Sequence, residues 1–163
     1  TPCEHSFPTR RSSDLDYMKL STKGRYGVKA MVDLAINYGE QPVSIKSISE
    51  RQNISEYYLE QLFSSLRRAK LIKSVRGAQG GYILNRKPEE ITIQDVLDVL
   101  EGPIEVSNCL EDGACNNIDC CATRLLWKKL KNSIDSVTSS INLKDIVDDY
   151  NEITLIKGVK NNE

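Results

Sequence analysis

Histidine is almost absent from this 163-residue sequence, and the one that occurs is His5, in an N-terminal segment with no helical or strand pattern. The rest of the chain therefore lacks the side chain that most often serves as a general base. It also lacks a glycine-rich phosphate loop and a dinucleotide-binding fingerprint. These absences argue against an enzyme, and we expect no small-molecule substrate.

Long hydrophobic runs are missing as well. No apolar stretch approaches the roughly 20 residues that a membrane-spanning helix needs, and no segment has the charged start, apolar middle and small-residue cleavage site of a secretory signal. With 39% hydrophobic and 28% charged residues, the composition is that of an ordinary globular protein. We therefore expect a cytoplasmic protein that has no membrane contact.

The first seventeen residues do not read as part of the fold. They mix Pro, Ser and Arg without a period, and the stretch HSFPTRRSSDL resembles a translated sequencing adapter. We expect residues 1–17 to be a non-native or disordered extension and Met18 to be the true start, which leaves Cys3 and His5 outside the native chain. A targeting peptide is the alternative.

The net charge of -1 conceals two halves of opposite sign. From Met18 to Lys87 there are 13 Lys and Arg against 5 Asp and Glu, whereas Pro88 to Glu163 has 7 against 15. The first half thus carries +8 and the second -8. A basic half beside an acidic half indicates a polyanionic partner.

Apolar periodicity and capping residues predict three helices in the basic half. Ser21, Ser44 and Ser55 can each cap a helix, and Asn53 suits a left-handed turn between the second helix and the third. The buried stripe of the third helix is predicted to comprise Leu59, Leu62, Phe63 and Leu66. Two short helices joined by a tight turn indicate a helix-turn-helix.

A β-hairpin is predicted after the third helix. Strand-forming residues at 71–75 and 82–84 flank a glycine-rich tip, which is typical of a wing. Thr92 can cap a fourth helix, which Gly102 and Pro103 end. We predict a mainly α fold with a small β-hairpin wing, as a winged helix-turn-helix domain over residues 18–103.

The outward face of the third helix has the chemistry of a recognition helix. Amides and carboxylates read base edges, while guanidinium groups hold phosphates. A solvated helix face is the alternative for these residues alone. The candidate DNA-binding residues of this face are Tyr57, Glu60, Gln61, Ser64, Arg67 and Arg68. At the wing tip, Arg76 is the candidate to enter a minor groove.

A long helix is predicted from about Ala122, with a narrow apolar stripe at alternating spacings of three and four residues. This stripe is the seam of a coiled coil and indicates a homodimer, although packing on its own domain is the alternative. The seam consists of Trp127, Leu130, Ile134, Val137 and Ile141. Asn142 is predicted to cap a last short helix that ends near Tyr150. We assign residues 122–152 to dimerisation helices and 153–163 to a flexible tail.

Three segments resemble the IscR-type family of winged helix-turn-helix transcription regulators: MKLSTKGRYGVKAM, ISERQNISEYYLEQLFSSLRRAKLIKSVRG and GGYIL. The resemblance extends from Met18 to about Glu152. It implies a homodimer on double-stranded DNA, with a recognition helix in the major groove and a wing arginine in the minor groove. On this resemblance Glu60 and Gln61 belong to the reading helix, and Arg76 is the wing arginine. The wing departs from the family pattern at Ala78-Gln79.

Four of the five cysteines crowd into residues 104–121, which we expect to form a cluster-binding loop, called the cysteine loop below. This crowding indicates a metal or redox site in a reducing compartment. Cys109, Cys115 and Cys121 are each separated by five residues. Thiolates are the usual ligands of iron-sulfur clusters, whereas the paired spacing and histidine typical of zinc sites are absent. A metal-free thiol switch and structural cysteines are further alternatives.

The resemblance implies an iron-sulfur cluster, 2Fe-2S in preference to 4Fe-4S, bound by Cys109, Cys115 and Cys121. Family members that bind a cluster have a histidine three residues after the last cysteine, but this chain has Arg124. Because a guanidinium stays protonated, it cannot be a ligand. Cys120 is our candidate for the fourth ligand, with Asp119, Glu111 or a group from elsewhere as alternatives.

The sequence thus predicts a transcription regulator whose DNA binding depends on the cluster and reports iron-sulfur or redox status. One rival is a regulator of the same fold that senses cysteine or sulfur metabolism without a cluster. The other is an iron-sulfur carrier or assembly factor.

Overall fold

A computed structural model describes residues 20–107 and 121–160. Its elements, in chain order, are α1 (Thr22–Ile36), α2 (Ile45–Gln52), α3 (Glu56–Arg68), β1 (Ile72–Val75), β2 (Gly81–Leu84), a 3₁₀ turn (Pro88–Glu90), α4 (Ile93–Leu100), α5 (Ala122–Ser140) and α6 (Leu143–Lys160). The predicted mainly helical class with a small hairpin and a long C-terminal helix is confirmed. Within the described ranges, every helix is too short or too polar to cross a lipid bilayer. The predicted extension at 1–17 lies outside these ranges.

The predicted caps begin the helices of the DNA-binding domain. The Ser21, Ser44 and Ser55 hydroxyls accept hydrogen bonds from backbone N–H groups in the first turns of α1, α2 and α3. Thr92 does the same for α4, where Asp95 completes a capping box. Asn53 has a φ of 53° and ends α2 in the left-handed conformation, so the chain turns directly into α3.

One hydrophobic core holds α1 to α4 and the hairpin together. The apolar stripe of α3 is fully buried, as predicted from its spacing. It meets Ala30, Met31 and Leu34 of α1 in the same core. Tyr38 continues the apolar spacing of α1 but is not part of its buried face. The helix ends at Ile36 and Tyr38 lies half exposed beyond it.

Two glycines let α4 approach α1 closely. A Cβ on Gly27 would lie 1.9 Å from Cδ1 of Leu100, and one on Gly24 would lie 2.1 Å from a carboxylate oxygen of Glu101. Glu101 accepts hydrogen bonds from the backbone N–H groups of Ser21 (3.1 Å) and Gly24 (2.9 Å). The residues that lead into the cysteine loop are therefore tied to the start of α1.

The hairpin pairs antiparallel, with Ile72 opposite Leu84 and Val75 opposite Gly81. Its tip is a turn in which the Gly80 N–H donates to the Gly77 carbonyl at 3.0 Å, and Gly77 has a φ of 128°. The Ala78-Gln79 pair between them is compatible with this turn. Tyr82 also exchanges two backbone hydrogen bonds with Val43, a pairing that the sequence pattern did not reveal.

Ile141, the last residue of the predicted seam, lies beyond the end of α5. α5 stops at Ser140, and Ile141 is extended, with its carbonyl accepting from the Ile93 N–H at 2.9 Å. The Leu143 N–H donates to the Ile91 carbonyl, and the Leu143 side chain is completely buried in the core. The start of α6 therefore packs on the winged-helix domain, and the assignment of residues 122–152 to dimerisation helices stays a prediction.

The last helix is also longer than expected. Asn142 caps α6 as predicted, since its side-chain oxygen accepts from the Asp145 N–H. However, α6 has 18 residues and continues to Lys160, so the predicted end near Tyr150 is wrong. Residues 153–160 belong to this helix and not to a flexible tail, because apolar residues such as Ile153 and Ile156 continue past Tyr150.

Candidate nucleic-acid interface

The outward face of α3 is open to solvent. All six predicted residues of this face are exposed, and Tyr57 has 72% of its surface accessible. The face combines amide, carboxylate, hydroxyl and guanidinium groups, which are the groups that contact bases and phosphates.

α3 is held on its inner side by aromatic contacts to two other elements. Tyr58 packs edge-on against Tyr26 of α1, with 5.9 Å between ring centroids. Phe63 packs against Tyr82 of β2 at 4.8 Å. These contacts fix α3 and the hairpin relative to each other.

Arg76 lies directly after β1 at the tip of the hairpin, and it is exposed. The structure therefore presents this guanidinium beyond the body of the domain. A wing arginine in this position can enter a narrow minor groove, where the negative potential is strongest.

An ion pair that was not predicted from the sequence fixes α2 on α1. Asp33 of α1 is 2% exposed, and its carboxylate accepts hydrogen bonds from Nε (3.0 Å) and Nη2 (2.5 Å) of Arg51 and from Nε2 of Gln52 (3.0 Å). The Asp33 carboxylate raises the pKa of the Arg51 guanidinium. The sequence did contain one indication of this ion pair, an aspartate in the apolar stripe between Met31 and Leu34. A buried carboxylate requires a cationic or hydrogen-bonding partner.

The predicted dimer seam is only partly covered by the residues that the structure describes. None of the residues of α5 is buried. Trp127, Leu130 and Ile134 are partly exposed, whereas Val137 is 56% exposed and Ile141, beyond the helix end, is 37% exposed. A 19-residue helix with this stripe and no buried residue leaves apolar surface available for contact with a partner.

Of the four candidate cluster ligands, the structure describes only Cys121, at the N-cap of α5. Cys109, Cys115 and Cys120 lie outside the described residues. The Thr123 hydroxyl, 3.3 Å from the sulfur, lowers the pKa of the Cys121 thiol, as do the Arg124 and Thr123 backbone N–H groups and the Arg124 charge. This environment favours the thiolate that metal binding requires. In the part of the chain that the structure describes, no three His, Cys, Asp or Glu side chains gather at one place.

Comparison with known proteins agrees with this arrangement. The family model Rrf2, described as an iron-dependent transcriptional regulator, matches residues 20–149. The chain is 48% identical over 129 residues to the transcriptional regulator CymR of Bacillus subtilis, covering 79% of this chain and 89% of the relative. A solved structure of B. subtilis CymR, titled the global cysteine regulator, superposes with a TM-score of 0.71.

Regulators of a second kind are similarly close. The chain is 40% identical over 146 residues to IscR of Photorhabdus laumondii, which covers 90% of this chain and 88% of that one. The structure of T. potens IscR has a TM-score of 0.70 at 51% identity, covering 83% of this chain and 90% of that one. These relatives are transcriptional regulators and not enzymes. The chain therefore belongs to the Rrf2 family of DNA-binding transcriptional regulators.

Proposed function

We propose that this regulator binds DNA sequence-specifically as a homodimer, with α3 in the major groove and the wing in the minor groove. The observation that carries this proposal is the exposed polar face of α3, together with an exposed wing arginine, on a domain with a surplus of positive charge. A positively charged surface supplies affinity for the phosphate backbone, and the side chains at base edges supply sequence choice.

Individual residues of the face have different roles in this proposal. Gln61 reads a base edge, since a carboxamide can make two hydrogen bonds to adenine. Glu60 accepts a hydrogen bond from a cytosine amino group. Sequences without such a donor are bound more weakly, because the carboxylate is then repelled by phosphate. Arg67 and Arg68, at the C-terminal end of α3, hold phosphates, while Tyr57 and Ser64 complete the contact surface, and Arg76 enters the minor groove.

Substitution of the two reading residues is expected to change sequence choice. Gln61→Ala should cost about 1–3 kcal/mol at one base position and leave other positions unchanged, because a bidentate base contact is local. Glu60→Ala should widen the set of sequences selected from randomised duplexes. Asp98→Ala, which removes an exposed carboxylate on α4, is the control and should change neither. If Gln61→Ala weakened DNA binding equally on all sequences, the base-reading role of Gln61 would be wrong. If Glu60→Ala left the selected motif unchanged, the selectivity role of Glu60 would be wrong.

We further propose that an iron-sulfur cluster bound by Cys109, Cys115, Cys121 and Cys120 controls this DNA binding. The donor chemistry supports it, because four soft thiols fall within thirteen residues and Cys121 stands at the start of α5 in surroundings that favour thiolate. The cluster would supply a redox- and iron-sensitive link between this segment and the domain. The IscR relatives and the iron-dependent family description also support this role.

A cluster-free regulator of cysteine or sulfur metabolism is the second candidate, favoured by the 48% identity to CymR. In that case the cysteines react directly or a partner protein carries the signal. A visible spectrum with iron and sulfide assays on anaerobically purified protein separates the two. Iron and sulfide in comparable amounts support the cluster, whereas their absence after reconstitution supports the cluster-free regulator.

A further inference from the structure

Arg51 of α2 has one edge of its guanidinium bonded and the other available. Nε and Nη2 donate to the buried carboxylate of Asp33, but the side chain of Arg51 remains 45% exposed. Its third nitrogen, Nη1, donates to no group in the described residues. Because Asp33 holds the side chain in one orientation, little conformational entropy remains to be lost when a second acceptor binds.

Arg51 lines an open groove of about 820 Å³ between α2 and the tip of the wing. One wall carries the hydroxyls of Ser44 and Ser47, and the other is the tip turn at Ala78–Gly80. This turn follows Arg76 in the chain. The groove is thus continuous with the wing proposed to enter a minor groove.

A minor groove is bordered by the two phosphate backbones, so a surface beside an inserted wing faces phosphate oxygens. The lining combines uncharged polar side chains, glycines and the apolar residues Pro42, Val43 and Ala78 with one arginine. Glu40, on the loop between α1 and α2, is the only carboxylate among these residues. Arg51 is the only cation among them. The planar edge of a guanidinium matches a carboxylate or a phosphate, and of these two DNA offers the phosphate.

We propose that Arg51, oriented by Asp33, binds a backbone phosphate of the DNA beside the minor groove that the wing enters. Arg51 is then a phosphate-binding residue, and Asp33 is its positioning residue. This inference rests on the proposed placement of α3 and the wing on DNA. It adds a contact from α2 to an interface otherwise formed by α3 and the wing.

The ion pair allows a charge-balanced test, since Asp33→Asn/Arg51→Gln removes one charge of each sign. The net charge is unchanged, so any change in salt dependence reports a local contact. The probe is a duplex obtained by selection with the wild-type protein, with phosphates ethylated or replaced singly by methylphosphonate. We expect the slope of log K against log salt to shrink by about 0.9 per protomer. We also expect that modification of one phosphate per half-site beside the wing, which weakens binding of the wild type, no longer changes the affinity of the double variant. An unchanged slope and an unchanged phosphate pattern would overturn the proposal.

Two further variants distinguish loss of the phosphate contact from misfolding and from general destabilisation. Arg51→Lys keeps the charge, but a lysine cannot serve a carboxylate and a phosphate with one planar group, so the same phosphate should lose its effect. A wild-type phosphate pattern with Arg51→Lys would again contradict the proposal. Val96→Ala destabilises the buried face of α4 and should leave the slope and the pattern unchanged. Absence of selected DNA for the wild-type protein would instead contradict the proposed function itself.

Discussion

Replacement of Ile134 by aspartate is expected to convert the homodimer into a monomer. Ile134 lies in the middle of the α5 stripe, and no residue of this helix is buried within its own chain. A partner helix that covers the stripe would force the new carboxylate into an apolar contact, where an unpaired charge is costly. Light scattering should report twice the chain mass for the wild type and one chain mass for the variant.

The loss of the dimer is expected to weaken DNA binding strongly, because two half-sites are bound together only when two recognition helices are linked. Separation of the two removes an avidity of about 10²–10⁴-fold. Ser136→Asp is the matched control, since it adds the same charge to α5 at an exposed position about half a turn from Ile134. A dimer that survives Ile134→Asp, or one that Ser136→Asp disrupts equally, would contradict the proposed seam.

Substitution of the cysteines should remove the cluster almost completely. Cys109→Ala, Cys115→Ala and Cys121→Ala are each expected to abolish or strongly weaken the visible absorption, because each removes one thiolate from a four-ligand site. Cys120→Ala tests the fourth ligand separately. Adjacent side chains diverge in helices and strands, so Cys120 and Cys121 can both bind only where the backbone bends sharply. Intact absorption with Cys120→Ala would assign the fourth position to another group.

Cys3→Ala is the control for this series, since Cys3 lies in the segment that we expect to be foreign to the fold. It should leave the spectrum and the iron and sulfide contents unchanged. Zinc without sulfide, or no metal after anaerobic reconstitution, would contradict the cluster whatever happens to DNA binding.

The elements of the DNA-binding domain were predictable because their signals are local. A cap such as Ser55 and the spacing of Leu59, Leu62 and Phe63 lie within one or two helical turns, so the sequence displays them directly. The exposed face of α3 follows from the same periodicity. Its residues were therefore predictable as exposed, whereas their individual contacts with DNA remain predictions.

The features that sequence analysis missed depend on residues far apart in the chain. The seam pattern runs past Ser140, but Ile141 leaves the helix because its backbone bonds to Ile93, and Leu143 enters a core formed mainly by residues 30–100. Asp33 and Arg51 are separated by 18 residues and meet only when α1 packs on α2. Periodicity within one helix carries no information about such partners.

One measurement tests most directly whether the cysteine loop controls the DNA-binding domain. It compares the DNA affinity of one protein preparation with its cluster bound and after the cluster has been removed. The Glu101 carboxylate accepts hydrogen bonds from backbone N–H groups at the start of α1, and Glu101 lies only eight residues before Cys109. A change in the loop can therefore reach the domain through the chain and through these hydrogen bonds. We predict that the two states differ in affinity by about 5–150-fold for at least one selected duplex, the usual range of coupling between two sites. The same affinity and the same selected motif in both states, with iron and sulfide verified in the first, would contradict control by the cluster.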